Sequence, residues 1–590
     1  MLFAGATGFA QQCTVNWNDV HQRIEGFGAS SAWRSSWTAA QADMFFSTNT
    51  GIGLSLLRNH INYGPNPLST TTLTTSENSI IGMALARGAK VWSAPWTPAT
   101  GFKGTNANGA ISPSGGTFRG SGGNPTNLAY ASQLANYVVN LKKLYGSNVV
   151  YALSVQNEPD FNTTSYESCA WTAQQIHDFV TNLSTALTAA GVGSTRIVIP
   201  ESETWSGHSL YTTTMNDPAT ASVVGIIANH NYDGCPPSGT PSSPGSYGKS
   251  YWETEVAKLT CAGAYDGSIT DGLFWASKIN TYLTSVGVNA WHYWWLIASG
   301  SDNEGLTDQS GNPAKRMYVL GQWSRFVRPN YFRIGTTISG GALTSAFKDP
   351  VSQNFAIVAI NTTAADIAET FVLTNFTVPG SVTPWVTSAT LSLAQQASVP
   401  VNGTSFVYVL PAQSVVTLTG IGTTNLAPVL VTPSDQSIDA GMTLTVTNTA
   451  TDPGGPGVQL TFSLLQAPVG AALDSSSGVF TWRAPVSTAD STNEVMVEVT
   501  DNGTPNLSVT NGFQVVVNPI APASLSSISL NGGQVSLVVN GPAGPDYSLL
   551  SSTNLFDWDA LFTTNSPTLP FTVIDNPAEA ARFYRLRLGP

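Results

Sequence analysis

Cationic residues are scarce in this chain: 23 Lys and Arg stand against 35 Asp and Glu among 590 residues, for a formal charge of -12 at pH 7. Binding to nucleic acid or to an anionic bilayer draws on clustered Lys and Arg that displace counterions, so neither is expected as a partner. Cysteine is scarce too. Cys13, Cys169, Cys235 and Cys261 show no Cys-x-x-Cys spacing and no accompanying His cluster, which argues against zinc and leaves no metal or cofactor implied. An even count points to a disulfide instead. Cys235 with Cys261 is the expected pair, because they flank Glu255 on loops that the barrel reading below makes neighbours, although four cysteines allow three connectivities. No segment approaches the roughly 18 uninterrupted apolar residues of a membrane span. The small apolar stretch Leu2–Ala10 (LFAGATGFA) resembles the distal part of a secretory signal, so residues 1–10 read as a partial signal peptide and the protein as secreted.

What the chain does have is length, apolar residues and aromatics. Hydrophobic residues make up 42%, and there are 16 Trp and 18 Tyr. A single core stops growing at about 250–300 residues, so several domains are expected. Eight short apolar runs alternate with amphipathic stretches between Ile24 and Phe326: Glu25 to Ala29, Gly53 to Arg58, Lys90 to Ser93, Val150 to Gln156, Arg196 to Pro200, Val223 to His230, Ser250 to Glu255 and Ala290 to Leu296. Leu134, Val138, Leu141 and Tyr145 recur at helical spacing, and helices also fit Ala39 to Phe46 and Ile279 to Val286. Eight strands with interleaved helices predict a (β/α)8 TIM barrel over residues 24–326, whose active site lies at the C-terminal strand ends.

After Pro329 the helical period gives way to alternating segments such as Phe355 to Ile360 and Phe406 to Leu410. Residues 11–23 and 327–421 are expected to form a side β-sandwich. Beyond a linker at residues 422–428, turn signals between Val- and Thr-rich strands predict an immunoglobulin- or cadherin-like β-sandwich over residues 425–518. Residues 524–590 read as a small C-terminal β module. The architecture is thus α/β plus all-β, multidomain, and a monomer is expected.

Two motifs carry chemistry. In Ser154-Val-Gln-Asn-Glu-Pro-Asp160 an apolar strand runs directly into a carboxylate, and Tyr251-Trp-Glu-Thr-Glu255 does the same. Breaking a glycosidic bond needs one carboxylic acid to protonate the leaving oxygen and a second carboxylate at the anomeric carbon. Glu158 and Glu255 stand 97 residues apart, three β-α units, which puts them on the fourth and seventh barrel strands. Glu201, Glu203, Glu253 and Asp160 are further strand-tip carboxylates, read as orienting their neighbours. Trp92 and Trp294 suit core packing and sugar contact equally.

Asn157-Glu158-Pro159 and Trp-x-Thr-Glu255 resemble the glycoside hydrolases of clan A, family 30. The likeness extends over Gly26-Phe-Gly28, Leu57-Arg58, Ser93-Ala-Pro-Trp96, Tyr166-Glu-Ser-Cys169, Pro200-Glu-Ser202, His230-Asn-Tyr232, Trp294-Trp295 and Lys315-Arg-x-Tyr318. It is strongest toward the bacterial xylanase branch. The resemblance implies a retaining endo-β-1,4-xylanase with Glu158 as acid/base and Glu255 as nucleophile. It puts Asn157 at the sugar 2-hydroxyl, Arg58, His230 and Tyr232 around the nucleophile, Trp96 and Trp295 as stacking walls, and Tyr166 at a looser subsite. Arg58 is expected to keep Glu255 ionised.

Two departures stand out. Glucuronoxylanases of this family carry Arg-Arg-Ser-Tyr after the Trp-Trp pair to grip a glucuronic-acid branch, whereas this chain reads Leu296-Ile-Ala-Ser-Gly-Ser-Asp302. A Ser cannot replace a charge-assisted clamp, so independence of glucuronic acid is expected. The family's Tyr just after the nucleophile is replaced by Val256-Ala257. Two other readings stay open: hydrolysis of another β-glycan, such as β-1,6-galactan or β-1,6-glucan, and a non-catalytic carbohydrate-binding or adhesion protein in which the β modules dominate. Trp482, Phe556 and Trp558 are candidate sugar platforms there. Asp452 and Asp501 read as turn caps, with calcium as the alternative.

Overall fold

The computed structural model describes the chain except for residues 1–10, 35–36, 63–76, 147–148, 206–207, 235–246, 259–263, 424–426, 453–457, 503–505, 580 and 590. The signal-like residues 1–10 and the expected Cys235–Cys261 pair lie outside the described residues. Cys13 and Cys169 are buried free thiols, each pushed up to about 12 by burial. The chain divides into two compact units, Met1–Thr423 and Thr424–Pro590.

The first unit opens with β1 (Gln11–Arg23) and continues into a barrel of eight strands: β2 (Gly26–Ser30), β3 (Leu56–Ile61), β4 (Lys90–Pro95), β5 (Val150–Ser154), β6 (Arg196–Ser202), β7 (Val224–His230), β8 (Ser250–Glu255) and β9 (Ala290–Ile297). Each pairs in parallel with the next, and β9 pairs with both β8 and β2, which closes the cylinder. Helices cover the outside, so the strands are buried almost throughout, as parallel strands between two apolar layers must be. The helices carry their own start signals. Thr38 with Gln41, and Thr172 with Gln175, form reciprocal capping boxes at the starts of Ala39–Phe46 and Ala173–Ala189, satisfying backbone donors that a first turn leaves open. Ile176, Phe179, Val180, Leu183 and Leu187 make the inner stripe of the second.

Two sequence expectations shift. The run Gly53 to Arg58 becomes a strand only at Leu56, because Gly53 sits at φ +67°, and it continues through Asn59 and His60 to Ile61. The helix expected from Ile279 to Val286 is Ile269–Thr281, followed by a π-helical turn over Tyr282–Val286. A side chain at Gly272 would press on Val319 and Lys315, so its smallness serves packing between this helix and Lys315–Ser324.

The remainder of this unit is one hydrogen-bonded β network beside the barrel. β1 joins it from the other end of the chain, antiparallel to Phe332–Ser339 and parallel to Ile367–Thr374. Cys13, Val15 and Trp17 alternate inward onto Phe355, Phe371, Phe376 and Phe406. Gln322 on the last barrel helix bonds Thr387 and Thr417, and Trp323 bonds Ser345.

In the second unit, strands between Gln436 and Asn518 form a four-stranded and a three-stranded sheet around Phe480, Trp482, Val497 and Phe513, and Ala450–Thr451 pairs with Val429–Leu430. Strands from Ser524–Asn531 to Phe583–Gly589 form two three-stranded sheets on a small core of Leu537, Leu549 and Val573. Trp482 is therefore core, Trp558 is half-buried under Arg585, and Phe556 is exposed.

Candidate active site

The barrel's C-terminal rim holds a cleft of about 460 Å³ lined by residues that end or follow seven different strands, among them Trp33, Trp96, Glu158, Glu203, Tyr232, Glu255 and Trp295. Glu158 lies four residues past β5. The Asn157 N–H donates to Pro95 O on β4 (2.8 Å) and the Glu158 N–H to Glu201 O on β6 (2.9 Å). Hung between two neighbouring strands, Glu158 takes a left-handed backbone at φ +44°, a conformation that non-glycine residues keep only where the surroundings impose it. Glu255 is the last residue of β8. A carboxylate oxygen of each glutamate and a ring nitrogen of His230 all lie within 4.8 Å of one another.

Arg58, fully buried on β3, organises this cluster. Nη1 donates to Glu255 Oε2, while Nη2 donates to Asn157 Oδ1 and to Glu201 Oε1, the last at 2.9 Å. A planar fork suits several acceptors at fixed angles, which an ammonium does not. His230 at the tip of β7 bridges the two glutamates, its Nδ1 lying 3.0 Å from Glu158 Oε1 and 3.8 Å from Glu255 Oε2. Tyr232 donates to Glu255 Oε1 (2.9 Å) and Tyr166 to Glu158 Oε2 (3.3 Å).

Burial by itself disfavours charge on His230, but the charge of Glu255 and the contacts with Glu158 and Glu201 prevail and push it up to about 10. Burial likewise works against Glu201, yet Arg58 and His230 outweigh it and hold that carboxyl below the usual range. For Glu255 burial dominates and raises the carboxyl, with His230 and then Arg58 pulling against it. Arg58 alone therefore does not set the ionisation of Glu255; the imidazolium shares the task.

Four indoles wall the cleft. Trp294 and Trp295 stack at 4.9 Å, Trp96 lies 5.9 Å from Trp294, and Trp33 meets Trp96, Trp294 and Trp295 at 5.5–6.2 Å. The guanidinium of Arg58 lies 4.4 Å from the Trp96 ring. Trp92, by contrast, is wholly buried against Trp252 and His292 and belongs to the core.

The structure thus gathers Arg58, Trp96, Asn157, Glu158, Tyr166, His230, Tyr232, Glu255 and Trp295 around one cleft. Sequence reasoning missed Trp33, His60, His292 and Glu304. Trp33 was signalled by its place three residues past β2, as Glu304 was by its place shortly after the Trp-Trp pair. His60, two residues along β3 from Arg58, packs on Trp33 and Trp96 and bonds Glu167 at 2.8 Å, so it anchors the loop that carries Tyr166. His292 lies below the site, with Nδ1 facing Glu253 O (2.9 Å) and Nε2 accepting from Trp92 Nε1 (3.1 Å). Glu253, expected to orient neighbours, is buried with its carboxyl raised by desolvation and accepts from the Trp205 indole.

With this geometry in view, the likenesses to known proteins are specific. The glycosyl hydrolase family 30 TIM-barrel domain matches residues 80–241, and a putative Ig domain matches residues 427–518. The chain is 31% identical over 433 residues to glucuronoxylanase XynC of Bacillus subtilis (strain 168), spanning 71% of this chain and 94% of that protein. It is similar to the structure of a glycoside hydrolase family 30 subfamily 8 xylanase from Clostridium acetobutylicum, at 30% identity and a TM-score of 0.59, over 70% of this chain and 99% of that one. A family 30 endoxylanase from Clostridium papyrosolvens C71 gives 28% identity and the same TM-score, over 70% and 100% of the two chains.

Proposed function

The chain belongs to glycoside hydrolase family 30, and from that premise we propose that it is a retaining endo-β-1,4-xylanase that does not depend on glucuronic-acid branches. The observation that carries this reading is the closeness of the two carboxylates, with oxygens of Glu158 and Glu255 within 4.8 Å across a tryptophan-walled cleft. Double displacement calls for carboxyl groups about 5–5.5 Å apart, whereas inversion leaves room for a water between them.

In the first step Glu158 gives its proton to the glycosidic oxygen while Glu255 attacks the anomeric carbon, so the C–O bond to the leaving chain breaks as the glycosyl ester forms. In the second, Glu158, now a carboxylate, takes a proton from water. The resulting hydroxide character attacks the same carbon and frees Glu255. Arg58, Tyr232 and His230 offset charge on Glu255 and aim it. Asn157, gripped by Arg58, presents its amide to the sugar, and Trp96 and Trp295 hold its apolar face. A polymeric substrate of this size puts the enzyme outside the cell.

The test is digestion of neutral arabinoxylan and of glucuronoxylan, with the first-formed anomer read by NMR. Both xylans are cut and the β-anomer appears first; an α-anomer, or absolute need for glucuronic acid, overturns the reading. Glu158→Gln lowers kcat by about 10²–10⁴ on a poor leaving group, and Glu255→Gln by at least about 10⁴.

A further inference from the structure

Among the described residues the cleft presents four carboxyl groups, Glu158, Glu203, Glu255 and Glu304, and no Lys, Arg or His side chain lines it. Only two of the four belong to the bond-breaking pair. Glu203 follows β6, with its backbone fixed on both sides: its N–H donates to Asp160 Oδ1 (2.9 Å) and its carbonyl accepts from Tyr232 N–H (3.2 Å). Glu304 lies in the loop after β9 and is fixed in the same manner. Its N–H donates to Asp302 Oδ1 (3.1 Å), its carbonyl accepts from Trp295 N–H (3.0 Å), and its carboxyl meets the Trp294 indole. Arg34, the cation beside this loop, donates to Ala298 O, lies over the Trp295 ring and is drawn electrostatically to Asp302 and Glu304 of the loop itself.

We infer that Glu203 and Glu304 are specificity-determining residues that bar anionic sugar decorations from the cleft, so that the glycan is cut within its neutral stretches. This rests on the glycosidase reading above and adds to it an active rejection of acidic branches, beyond mere independence of them. A carboxylate accepts hydrogen bonds from sugar hydroxyls, so a neutral chain loses nothing by meeting one. A uronate in the same place meets like charge, and no Lys, Arg or His side chain among the lining residues is there to pair it.

The two groups also give the rejection a pH dependence. Glu203 is pushed up to about 7 by burial and by Glu158, Asp160 and Asp233, against His230. Glu304 is pushed up to about 7 by burial and by Asp302 and Glu255, against the Trp294 contact and Arg34. Both gain charge as pH rises through that value, while a uronate with a carboxyl pKa of about 3–4 stays ionised throughout. Rejection is therefore weak in mild acid and strong in mild base.

The experiment measures kcat/KM on a linear xylo-oligosaccharide and on the same chain bearing one glucuronic-acid branch, for wild type, Glu203→Gln, Glu304→Gln and the double variant. The acidic-to-neutral ratio cancels the pH profile of the catalytic pair. In wild type the ratio falls about tenfold from about pH 5.5 to about pH 8.5 and recovers in high salt. In the double variant it is flat with pH and about 3- to 10-fold higher at the basic end. A ratio indifferent to pH and salt, or unchanged in the double variant, overturns the inference, as does loss of all turnover in both single variants. If wild type leaves the linear xylo-oligosaccharide intact, the xylanase reading falls by itself. The ratio is then taken on the β-glycan that is cut, in native and carboxymethylated forms, with the same expected results; if none is cut, both readings fall.

Discussion

Arg58 is fully buried, and its fork serves Glu255, Asn157 and Glu201 at once. A lysine carries the same charge but satisfies one direction at a time, so Arg58→Lys leaves at least one buried acceptor open and costs about 1–3 kcal/mol of stability. Arg58→Met leaves the buried carboxylates of Glu201 and Glu255 with the His230 imidazolium as their remaining cation and costs about 3–5 kcal/mol. Urea denaturation checks both values, and the lysine variant loses kcat more than it gains KM because Glu255 is no longer aimed. At this scale the sequence was most readable where a residue type has few structural uses. An Arg in an apolar strand and a Glu at a strand tip announce themselves. His292 and Glu253 did not, since their roles depend on contacts with Trp92 and Trp205 that come from other strands.

The barrel strands and the loops after them deliver the side chains of the rim, and the layer beneath them sets how closely they approach. Gly28 on β2 shows the constraint. A Cβ there would fall 2.4 Å from the His292 ring and 2.8 Å from Leu56 O. The ring cannot move aside, because Trp92 Nε1 and Glu253 O hold its two nitrogens. Burial lowers His292 to about 3, so it stays neutral and keeps both bonds. Gly28→Ala is therefore expected to lower stability by about 1–3 kcal/mol or more through overpacking, seen as a lower melting temperature, and to reduce turnover as the floor under Glu253 and Glu255 shifts. Strand order and period were legible from alternating apolar runs. Element limits were not, as the late start of β3 at Leu56 and the extension of the penultimate helix back to Ile269 demonstrate: glycines there answer to packing partners as well as to local conformation.

Every side chain of the cleft comes from Met1–Thr423, which has its own barrel and side-network cores, while Thr424–Pro590 has two smaller ones. A chain ending at Thr423 is expected to fold and to keep kcat/KM on a soluble glycan within about twofold of the full chain. Removal of β1 has the opposite outcome. It strips Cys13, Val15 and Trp17 from the side core and two strands' worth of hydrogen bonds from the network, so truncation to Ile24 yields insoluble or molten protein, measured by soluble yield and near-UV circular dichroism.

The sequence by itself determined the barrel, because its period and the polarity of its strand ends are local properties, and it marked Glu158 and Glu255 because strand-tip carboxylates follow from that period. The tertiary structure alone decided which of the other acids matter. Glu201 is neutralised by Arg58, Glu253 is buried under Trp205, and Glu203 and Glu304 face the cleft. Their sequence surroundings do not distinguish them. Desolvation and opposing charge do, and both are sums over neighbours that only the closed barrel brings together.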